Sequence, residues 1–255
     1  MASAAESLQL FALAGIPLVS PGDDLVALIL GGLKASDLAL QNRDVLVLAQ
    51  KIVSKSENRY VALDSVTPSA RACQLATLCN KDARLVEIVL GESRGVVRAR
   101  RDVLIVEHRL GSVLANAGVD ASNVGDEGRV LLLPENPDAS CQALRAALKS
   151  ATGAEIGVVI NDSWGRAWRM GTTGTAIGLA GVPGVEDLRG REDLFGRKLR
   201  SSELGVADEL ASAASLMMGQ AGEGHPVVLA RGFPYPLRES SSAEMIRPRS
   251  LDLFR

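Results

Sequence analysis

Aromatic residues and net charge are both scarce in this chain. Aromatic residues make up 3% of the 255 positions, and 28 Lys plus Arg stand against 30 Asp plus Glu, which gives a net charge of -2. Such a chain offers no general attraction for a polyanion and few rings on which bases can stack. We therefore expect no nucleic-acid partner.

Cysteine and histidine are also few. The three cysteines, Cys73, Cys79 and Cys141, are odd in number and show no CxxC spacing, so they predict neither a disulfide framework nor a zinc ribbon. The two histidines, His108 and His225, are too few for a His-rich zinc hydrolase. We expect reduced, packed cysteines and a site that does not depend on zinc.

Long apolar runs are missing as well. No window reaches the length that a bilayer span requires. The apolar opening at 8–19 lacks a basic leader and contains Gly15-Ile16-Pro17, so it indicates a strand running into a turn. We expect a cytoplasmic protein without membrane contact. With 47% hydrophobic residues, the chain suffices for one large domain or two closely joined ones.

Interleaved strand and helix patterns predict an α+β fold with mixed β-sheets and flanking helices. The expected strands are 8–14, 44–54, 103–106, 130–133, 156–160, 175–179 and 226–230. The expected helices are 24–33, one that starts at Thr67-Pro68-Ser69, 136–153 and 206–218. Residues 1–236 form the domain, and 237–255 form a polar tail that is either mobile or docked through 251–254.

Two polar islands follow apolar runs at points where a strand is expected to end. They are Ala-Gly-Val-Asp-Ala-Ser-Asn at 117–123 and Asn-Asp-Ser-Trp-Gly-Arg at 161–166. Mg²⁺ is usually held by one or two carboxylates together with waters and phosphates, so Asp120 and Asp162, with Ser163 and the Gln220 amide, form a sufficient set. The alternative is that each Asp caps its own turn.

No standard phosphate-binding signature is present, neither G-x-x-x-x-G-K-[ST] nor G-x-G-x-x-G between a strand and a helix. One candidate for a nucleotide is the glycine-rich segment 218–225, although such a segment is also typical of a helix C-cap and loop. A second is 50–55 at a strand exit, where Lys51, Val53 and Lys55 would share a strand face. Two ammonium groups would then face one anion, unless the segment is a solvated edge strand.

Seven strings of the sequence resemble, in order, the coenzyme F420-0:L-glutamate ligase family, the GTP-dependent γ-glutamyl ligases that complete the deazaflavin coenzyme F420. They are GIPLVSPGDDL, VLAQKIVSKSE, ANAGVDASN, NDSWGRAWRMGTTGTAIGLAG, DLRGREDLFGR, LMMGQAGEGHPVVLARG and IRPRSLDLFR. The resemblance implies a ligase that phosphorylates the terminal carboxylate of F420-0 with GTP. The amine of L-glutamate then displaces phosphate from the acyl phosphate, and one or more glutamates are added.

The resemblance also implies roles for individual residues. The catalytic residues would be Lys55, Asp120 and Asp162, and a divalent cation, Mg²⁺ or Mn²⁺, would bind Asp120, Asp162, Ser163 and Gln220. GTP would contact Gly15, Ile16, Pro17, Leu18, Gln50, Lys51, Lys55, Asn123, Met218, Gly219, Gln220, Ala221, Gly222, Glu223, Gly224 and His225. A monovalent cation such as K⁺ is a further candidate cofactor.

The chain resembles the stand-alone form of the family, which implies two intimately joined subdomains and an intertwined homodimer with a cleft between subunits. It departs from the family pattern at Trp164, where a smaller aromatic is usual, and at Lys51, where a small or hydroxylated residue is common. Two alternatives stay open. One is a nucleotide-dependent carboxylate-amine ligase with a different acceptor or amino acid, and the other is a non-catalytic GTP-binding protein of the same fold.

Overall fold

The structure is a computed structural model that describes residues 7–121 and 128–253, and the statements below concern those residues. The strands are β1 (Gln9–Ala12), β2 (Val45–Ala49), β3 (Tyr60–Ala62), β4 (Ser93–Arg100), β5 (Val103–His108), β6 (Val113–Ala115), β7 (Arg129–Leu131), β8 (Gly157–Arg166), β9 (Arg169–Ala180), β10 (Glu186–Asp187), β11 (Glu203–Leu204) and β12 (Val227–Arg231). The helices are α1 (Leu25–Ala35), α2 (Gln50–Ser56), α3 (Ala70–Cys79), α4 (Ala83–Gly91), α5 (Pro137–Thr152) and α6 (Val206–Met218).

A mixed five-stranded sheet with the order β1-β12-β2-β8-β9 forms the centre of the larger unit. Only β2 and β8 pair in parallel, and the other three pairings are antiparallel. The prediction of an α+β chain with a mixed sheet is confirmed.

Helices cover both faces of this sheet because its central strands are apolar on both sides. In β2, Leu46 and Leu48 enter the core shared with α1 and α5, whereas Val45 and Val47 enter the core shared with α6. The alternation follows from the two-residue period of a strand. The layer order is therefore helix, sheet, helix.

A second packing unit lies between β2 and β8 in the chain. The antiparallel sheet β4-β5-β6 packs against α3 and α4 around a separate apolar cluster. The short ribbon β3-β7 carries a small cluster of its own, which contains Val130 and Leu132.

Capping residues mark the helix ends that the sequence predicts. The Asp24 side chain accepts hydrogen bonds from the N–H groups of Val26 and Ala27 at the start of α1. Asn136 caps α5, and Gly153 ends it with a φ of 77° in the left-handed region. Such caps satisfy backbone groups that a helix leaves without partners, so they localise its ends.

Two predicted boundaries are wrong. The segment 44–54 is not one strand, because β2 ends at Ala49 and α2 starts at Gln50. The second polar island is not a strand exit, because β8 continues through it to Arg166 and pairs with β9. Both errors arise where the chain leaves the part of the sheet that helices cover. A hydrophobic pattern indicates only the strand residues that are buried under those helices, so it does not show where the strand ends.

Carboxylates cover the outer edge of β9, which is the last strand of the sheet. The Ala176 N–H donates to Asp208 Oδ1 at 2.9 Å, and the Leu179 N–H donates to Asp138 Oδ1 at 2.9 Å. Asp138 also accepts from the backbone N–H and the hydroxyl of Ser242 in the tail.

The tail is held to the body by polar contacts. Besides Ser242, Glu239 accepts from Arg145 Nη1 at 2.7 Å, and Arg249 lies 3.2 Å from Glu107. At the end of the tail, Leu251 and Leu253 are 61% and 85% exposed, and Phe254 lies outside the described residues, so docking through 251–254 stays a prediction. Within 7–121 and 128–253, no helix is both long enough and apolar enough to cross a membrane.

A shielded ion pair joins the start of β2 to the end of β12, at the end of the sheet that lies away from α2. Asp44, 1% exposed, accepts from Arg231 Nη2 at 2.7 Å and from Arg231 Nε at 3.0 Å. We expect Asp44→Ala to lower the free energy of unfolding by about 2 kcal/mol, because the Arg231 guanidinium, 24% exposed, loses two charge-assisted hydrogen bonds and keeps the one to the Ala39 carbonyl. Denaturant titration measures this. The control Arg101→Ala breaks an exposed pair with Asp102 and should change stability by less than about 1 kcal/mol; equal losses would contradict the prediction.

Candidate active site

The strand ends at one end of the five-stranded sheet, called the site edge below, bring together the segments that the sequence singles out. β2 and β8 run parallel with Ala49 opposite Asn161, so the last residue of β2 lies beside the start of the second polar island, and β8 continues beyond it to Arg166. β12 is antiparallel to β2, and β1 is antiparallel to β12. The carboxyl end of β1 and the amino end of β12 therefore reach the same edge. The segments that meet there are 15–18, 50–55, 161–163 and 218–225.

Helix α2 presents two ammonium groups on one side. Lys51 and Lys55 are four residues apart, so they are neighbours on the surface of a helix. The strand-face interpretation with Val53 is wrong, because Val53 is buried in the core. The two lysines do lie on one side, as expected, but the reason is the period of a helix and not that of a strand.

Asp120 reaches the same place from the second unit. Its backbone N–H donates to the Leu131 carbonyl at 2.9 Å and its carbonyl accepts from the Leu131 N–H at 2.8 Å, which fixes it beside β7. Its carboxylate forms an ion pair with the Lys51 ammonium, and the two side chains are 23% and 30% exposed. The pair is therefore partly shielded from solvent.

Asp162 lies in β8 with both carboxylate oxygens engaged. Oδ1 accepts from the Ser163 N–H at 2.8 Å, and Oδ2 accepts from Trp164 Nε1 at 2.8 Å. Although the residue as a whole keeps some exposure, burial of its carboxyl group raises its pKa. The two hydrogen bonds and the positive charge of Lys51 oppose that rise, and the charge of Asp120 adds to it.

Lys55 belongs to the same electrostatic group. Burial lowers the pKa of its ammonium, the neighbouring charge of Lys51 lowers it further, and the charge of Asp120 raises it. Two aspartates and two lysines thus influence one another at this edge. The geometric requirement that Asp120 and Asp162 belong to one neighbourhood is met, although their chain segments are far apart in sequence.

The glycine-rich loop is anchored to this edge at both ends. At its start, Asn161 Nδ2 lies 3.4 Å from Met218 Sδ, and at its end the Pro226 carbonyl accepts from the Ala49 N–H at 2.8 Å. Gly219 and Gly224 have a φ of 73°, a conformation that favours glycine. Residues 220–225 are exposed.

Side chains within this loop bind locally. Gln220 Nε2 donates to Ser215 Oγ at 3.0 Å. Glu223 Oε2 accepts from the Ala221 N–H at 2.8 Å. The proposed ligand role of Gln220 stays a prediction.

The first turn begins where β1 ends. The Leu13 N–H donates to the Val227 carbonyl at 2.9 Å, and Gly15 follows with a φ of 71°. Ile16 packs against Gly32 of α1, while Leu18 is 93% exposed. Pro17 is also exposed.

Gln50 and Asn123 are two further predicted GTP contacts. Gln50 is 2% exposed and its Oε1 accepts from Ser54 Oγ at 2.9 Å, so its side chain faces the protein. Asn123 lies outside the described residues. Of the two tryptophans, Trp164 packs partly on the main core, and Trp168 is 81% exposed at the hairpin turn.

A family model described as F420-0:Gamma-glutamyl ligase matches residues 15–232. The chain belongs to this family. It is 44% identical over 250 residues to the coenzyme F420:L-glutamate ligase of Methanothermobacter thermautotrophicus, covering 97% of this chain and 99% of that protein. It is 44% identical over 241 residues to the ligase of the same name from Methanopyrus kandleri, covering 93% of each chain, and 40% identical over 248 residues to that of Archaeoglobus fulgidus, covering 97% and 96%. The prediction of a ligase of this family is confirmed.

The contacts in this ligase-family chain include two that sequence reasoning missed. Trp164 donates to Asp162, and their two-residue spacing within a strand is a signal that would have found them on one face. Lys51 pairs with Asp120, a contact between distant segments for which the sequence carries no local signal.

A divalent cation in this ligase would depend on few side chains. Within the described ranges, no three His, Cys, Asp or Glu side chains are grouped for a metal. The donors that remain are the carboxylates of Asp120 and Asp162, with the Ser163 hydroxyl next in the chain. Two carboxylates fit a hard cation that keeps waters and phosphates as its other ligands, and Lys51 already shows that a positive charge is stabilised there.

We expect Lys51→Met to tighten Mn²⁺ binding in the absence of nucleotide by about tenfold or more, because it removes a positive charge that competes for Asp120. Titration followed by the magnetic resonance signal of free Mn²⁺ measures the affinity. The charge-matched control is Lys34→Met at the exposed end of α1, which should leave the affinity unchanged.

Asp120→Asn completes a double-mutant cycle for this prediction. In that background the effect of Lys51→Met should largely disappear. Unchanged or weaker Mn²⁺ binding by Lys51→Met alone would contradict the competition.

Proposed function

We propose that this protein is a GTP-dependent ligase that joins L-glutamate to the terminal carboxylate of F420-0. Family membership and the names of its relatives support the substrates. The observation that carries the nucleotide-dependent part is the meeting of Asp120, Asp162, Lys51 and Lys55 at one sheet edge beside a glycine-rich loop. Further γ-linked glutamates would require only that the product return as acceptor.

The reaction would proceed in two displacements. A carboxylate oxygen of F420-0 attacks the γ-phosphorus of GTP, the bond to the bridging oxygen breaks, and GDP leaves. The amine of L-glutamate then attacks the acyl carbon, the bond to the phosphate oxygen breaks, and an amide forms with release of phosphate and a proton. Because the first step brings two anions together, the protein mainly has to orient them and reduce their repulsion.

The chain supplies positive charge and backbone donors for this task. Lys51 and Lys55 project from α2 toward the aspartates. Burial is the main reason why the pKa of Lys55 is lowered, and Lys55 would still act as a cation near phosphates. The exposed loop at 218–225 offers N–H groups that a phosphate can approach closely where glycine removes side-chain bulk. The residues at 15–18 would flank the nucleotide from the end of β1.

Mg²⁺ or Mn²⁺ would be held by Asp120 and Asp162, with Ser163 and Gln220 as further candidates. When bound, such a cation would offset the negative charge of the phosphates during the transfer. Ionised Asp162 costs free energy in its buried place, and a cation would relieve that cost. A monovalent cation such as K⁺ remains part of the proposal.

We also propose that the protein is a homodimer. The β8-β9 hairpin extends beyond the sheet and ends in exposed apolar side chains, with Trp168 81% and Met170 95% exposed. A second projection between β10 and β11 carries Leu194 and Phe195, which are 100% and 85% exposed. Apolar groups at the ends of ordered hairpins are typical of surfaces that a partner covers.

We expect Asp162→Asn to abolish GDP release that depends on F420-0, L-glutamate and Mg²⁺ or Mn²⁺, because the amide lacks the charge that a hard cation requires. Mass spectrometry of the glutamylated product provides the second readout. The control Asp102→Asn alters an exposed carboxylate distant in the chain from this site and should keep activity. Normal turnover by Asp162→Asn would remove Asp162 from the site, and a product formed with another amino acid would point to the alternative substrate specificity.

We expect sedimentation equilibrium to give twice the chain mass of 26.8 kDa. Replacing Leu194 and Phe195 together by Asp should shift the protein toward the monomer, because charges would then enter an apolar contact. Leu78→Asp, at a 54% exposed position on α3, is the matched control. A monomer in the unaltered protein would contradict the proposal.

A further inference from the structure

A cavity of about 70 Å³ lies at the outer edge of β9, between the β8-β9 hairpin, α6, the turn after β5 and the tail. Its lining residues are His108, Leu110, Ser112, Leu133, Trp164, Thr175, Ala176, Ile177, Asp208, Ser242, Met245 and Ile246. A space of this size holds a few waters or one small polar group. It cannot hold a nucleotide or a deazaflavin.

Asp208 gives this cavity its charge. One of its oxygens, Oδ1, accepts from the Ala176 N–H at 2.9 Å, and the second makes no hydrogen bond or ion pair within the described part of the chain. Burial raises the pKa of this carboxyl group. No lysine or arginine occurs among the described residues that line the cavity, and its one histidine, His108, lies 3.5 Å from Glu92 through Nε2.

The other polar groups of the lining suit a cation as well. Ser112, Thr175 and Ser242 contribute hydroxyl groups, whose oxygens can accept hydrogen bonds from an ammonium group. Trp164 is the one aromatic residue among the described lining, and indole is an aromatic ring that attracts cations. The ligand class that these groups recognise is therefore a small cation rather than an anion.

The cavity adjoins the candidate active site through one side chain. The Trp164 indole lines the cavity, and its Nε1 donates to Asp162 Oδ2 at 2.8 Å. A ligand bound beside this indole therefore lies about one ring away from the carboxylate of Asp162. The reaction proposed above needs an amine close to that position.

We propose that this cavity binds the ammonium group of the amino-acid substrate, with Asp208 as its counter-ion. The inference rests on the proposed ligase function. It adds a subsite for the amino acid that is separate from the residues assigned to nucleotide and metal.

Asp208→Asn tests the subsite with little change to the fold, because the amide oxygen can still accept from the Ala176 N–H. We expect the KM for L-glutamate to rise at least tenfold while the KM for GTP stays unchanged, since a charge-assisted hydrogen bond is lost. Glutarate, which lacks the ammonium group, should inhibit the variant and the unaltered enzyme equally. Glu209→Gln removes the same charge from an exposed neighbour on α6 and should change neither constant.

A binding measurement that needs neither GTP nor F420-0 complements the kinetics. Only two tryptophans occur in the chain, so Trp168→Phe leaves Trp164 as the single fluorescent reporter. We expect titration with methylammonium to change the emission of Trp164 in this variant and not in Trp168→Phe combined with Asp208→Asn.

Three results would overturn the assignment. One is an unaltered enzyme that ligates L-glutamate while Asp208→Asn shows the same KM for L-glutamate. Another is a Trp164 emission that does not respond to methylammonium. The third is an Asp208→Asn enzyme whose K⁺ dependence shifts while its KM for L-glutamate does not, which would assign the cavity to a monovalent ion. If the unaltered enzyme shows no ligation at all, the proposed function fails instead, and the fluorescence titration still decides whether the cavity binds an ammonium group.

Discussion

The parallel pairing of β2 with β8 is the constraint on which the candidate site depends. Because Ala49 lies opposite Asn161, the first turn of α2 and the part of β8 that follows Asn161 lie at the same edge of the sheet. The antiparallel strands on the other side of β2 bring the glycine-rich loop to the same edge. A one-residue slip between β2 and β8 would turn Asp162 to the opposite face. The apolar alternation of Leu46 and Leu48 against α1 and α5 prevents that slip, so core packing and site geometry have the same cause.

Two positive and two negative side chains lie at the site edge, and charges of the same sign are close to each other. Asp120 and Asp162 repel each other, as do Lys51 and Lys55, and each pair offsets the other. Such a group is held together only while all four members keep their charges. Substrates that carry phosphates would add negative charge that the two lysines do not neutralise, which gives a divalent cation a reason to accompany the nucleotide. The binding of nucleotide and cation should therefore be thermodynamically coupled, and each would strengthen the binding of the other.

Much of the fold and part of the site can be predicted from the sequence. The N-caps Asp24 and Asn136 place two helices correctly, because a cap is a local interaction between residues a few positions apart. The segment 50–55 is ambiguous, since β-branched Ile52 and Val53 favour a strand while the spacing of the two lysines also fits a helix. Only the departure of the chain from the sheet after β2 resolves it. Contacts such as Lys51 with Asp120 join segments that the fold alone brings together, so no local pattern reports them.

The carboxylates along β9 have a consequence for how copies of this protein can assemble. Each backbone N–H that Asp138 or Asp208 occupies is one that an added strand would need for its ladder. Around these residues the five-stranded sheet is thus closed to extension by strand addition from a neighbour. Two protomers cannot join these edges into one continuous sheet there, and an association that uses the hairpin tips must instead be made by side chains.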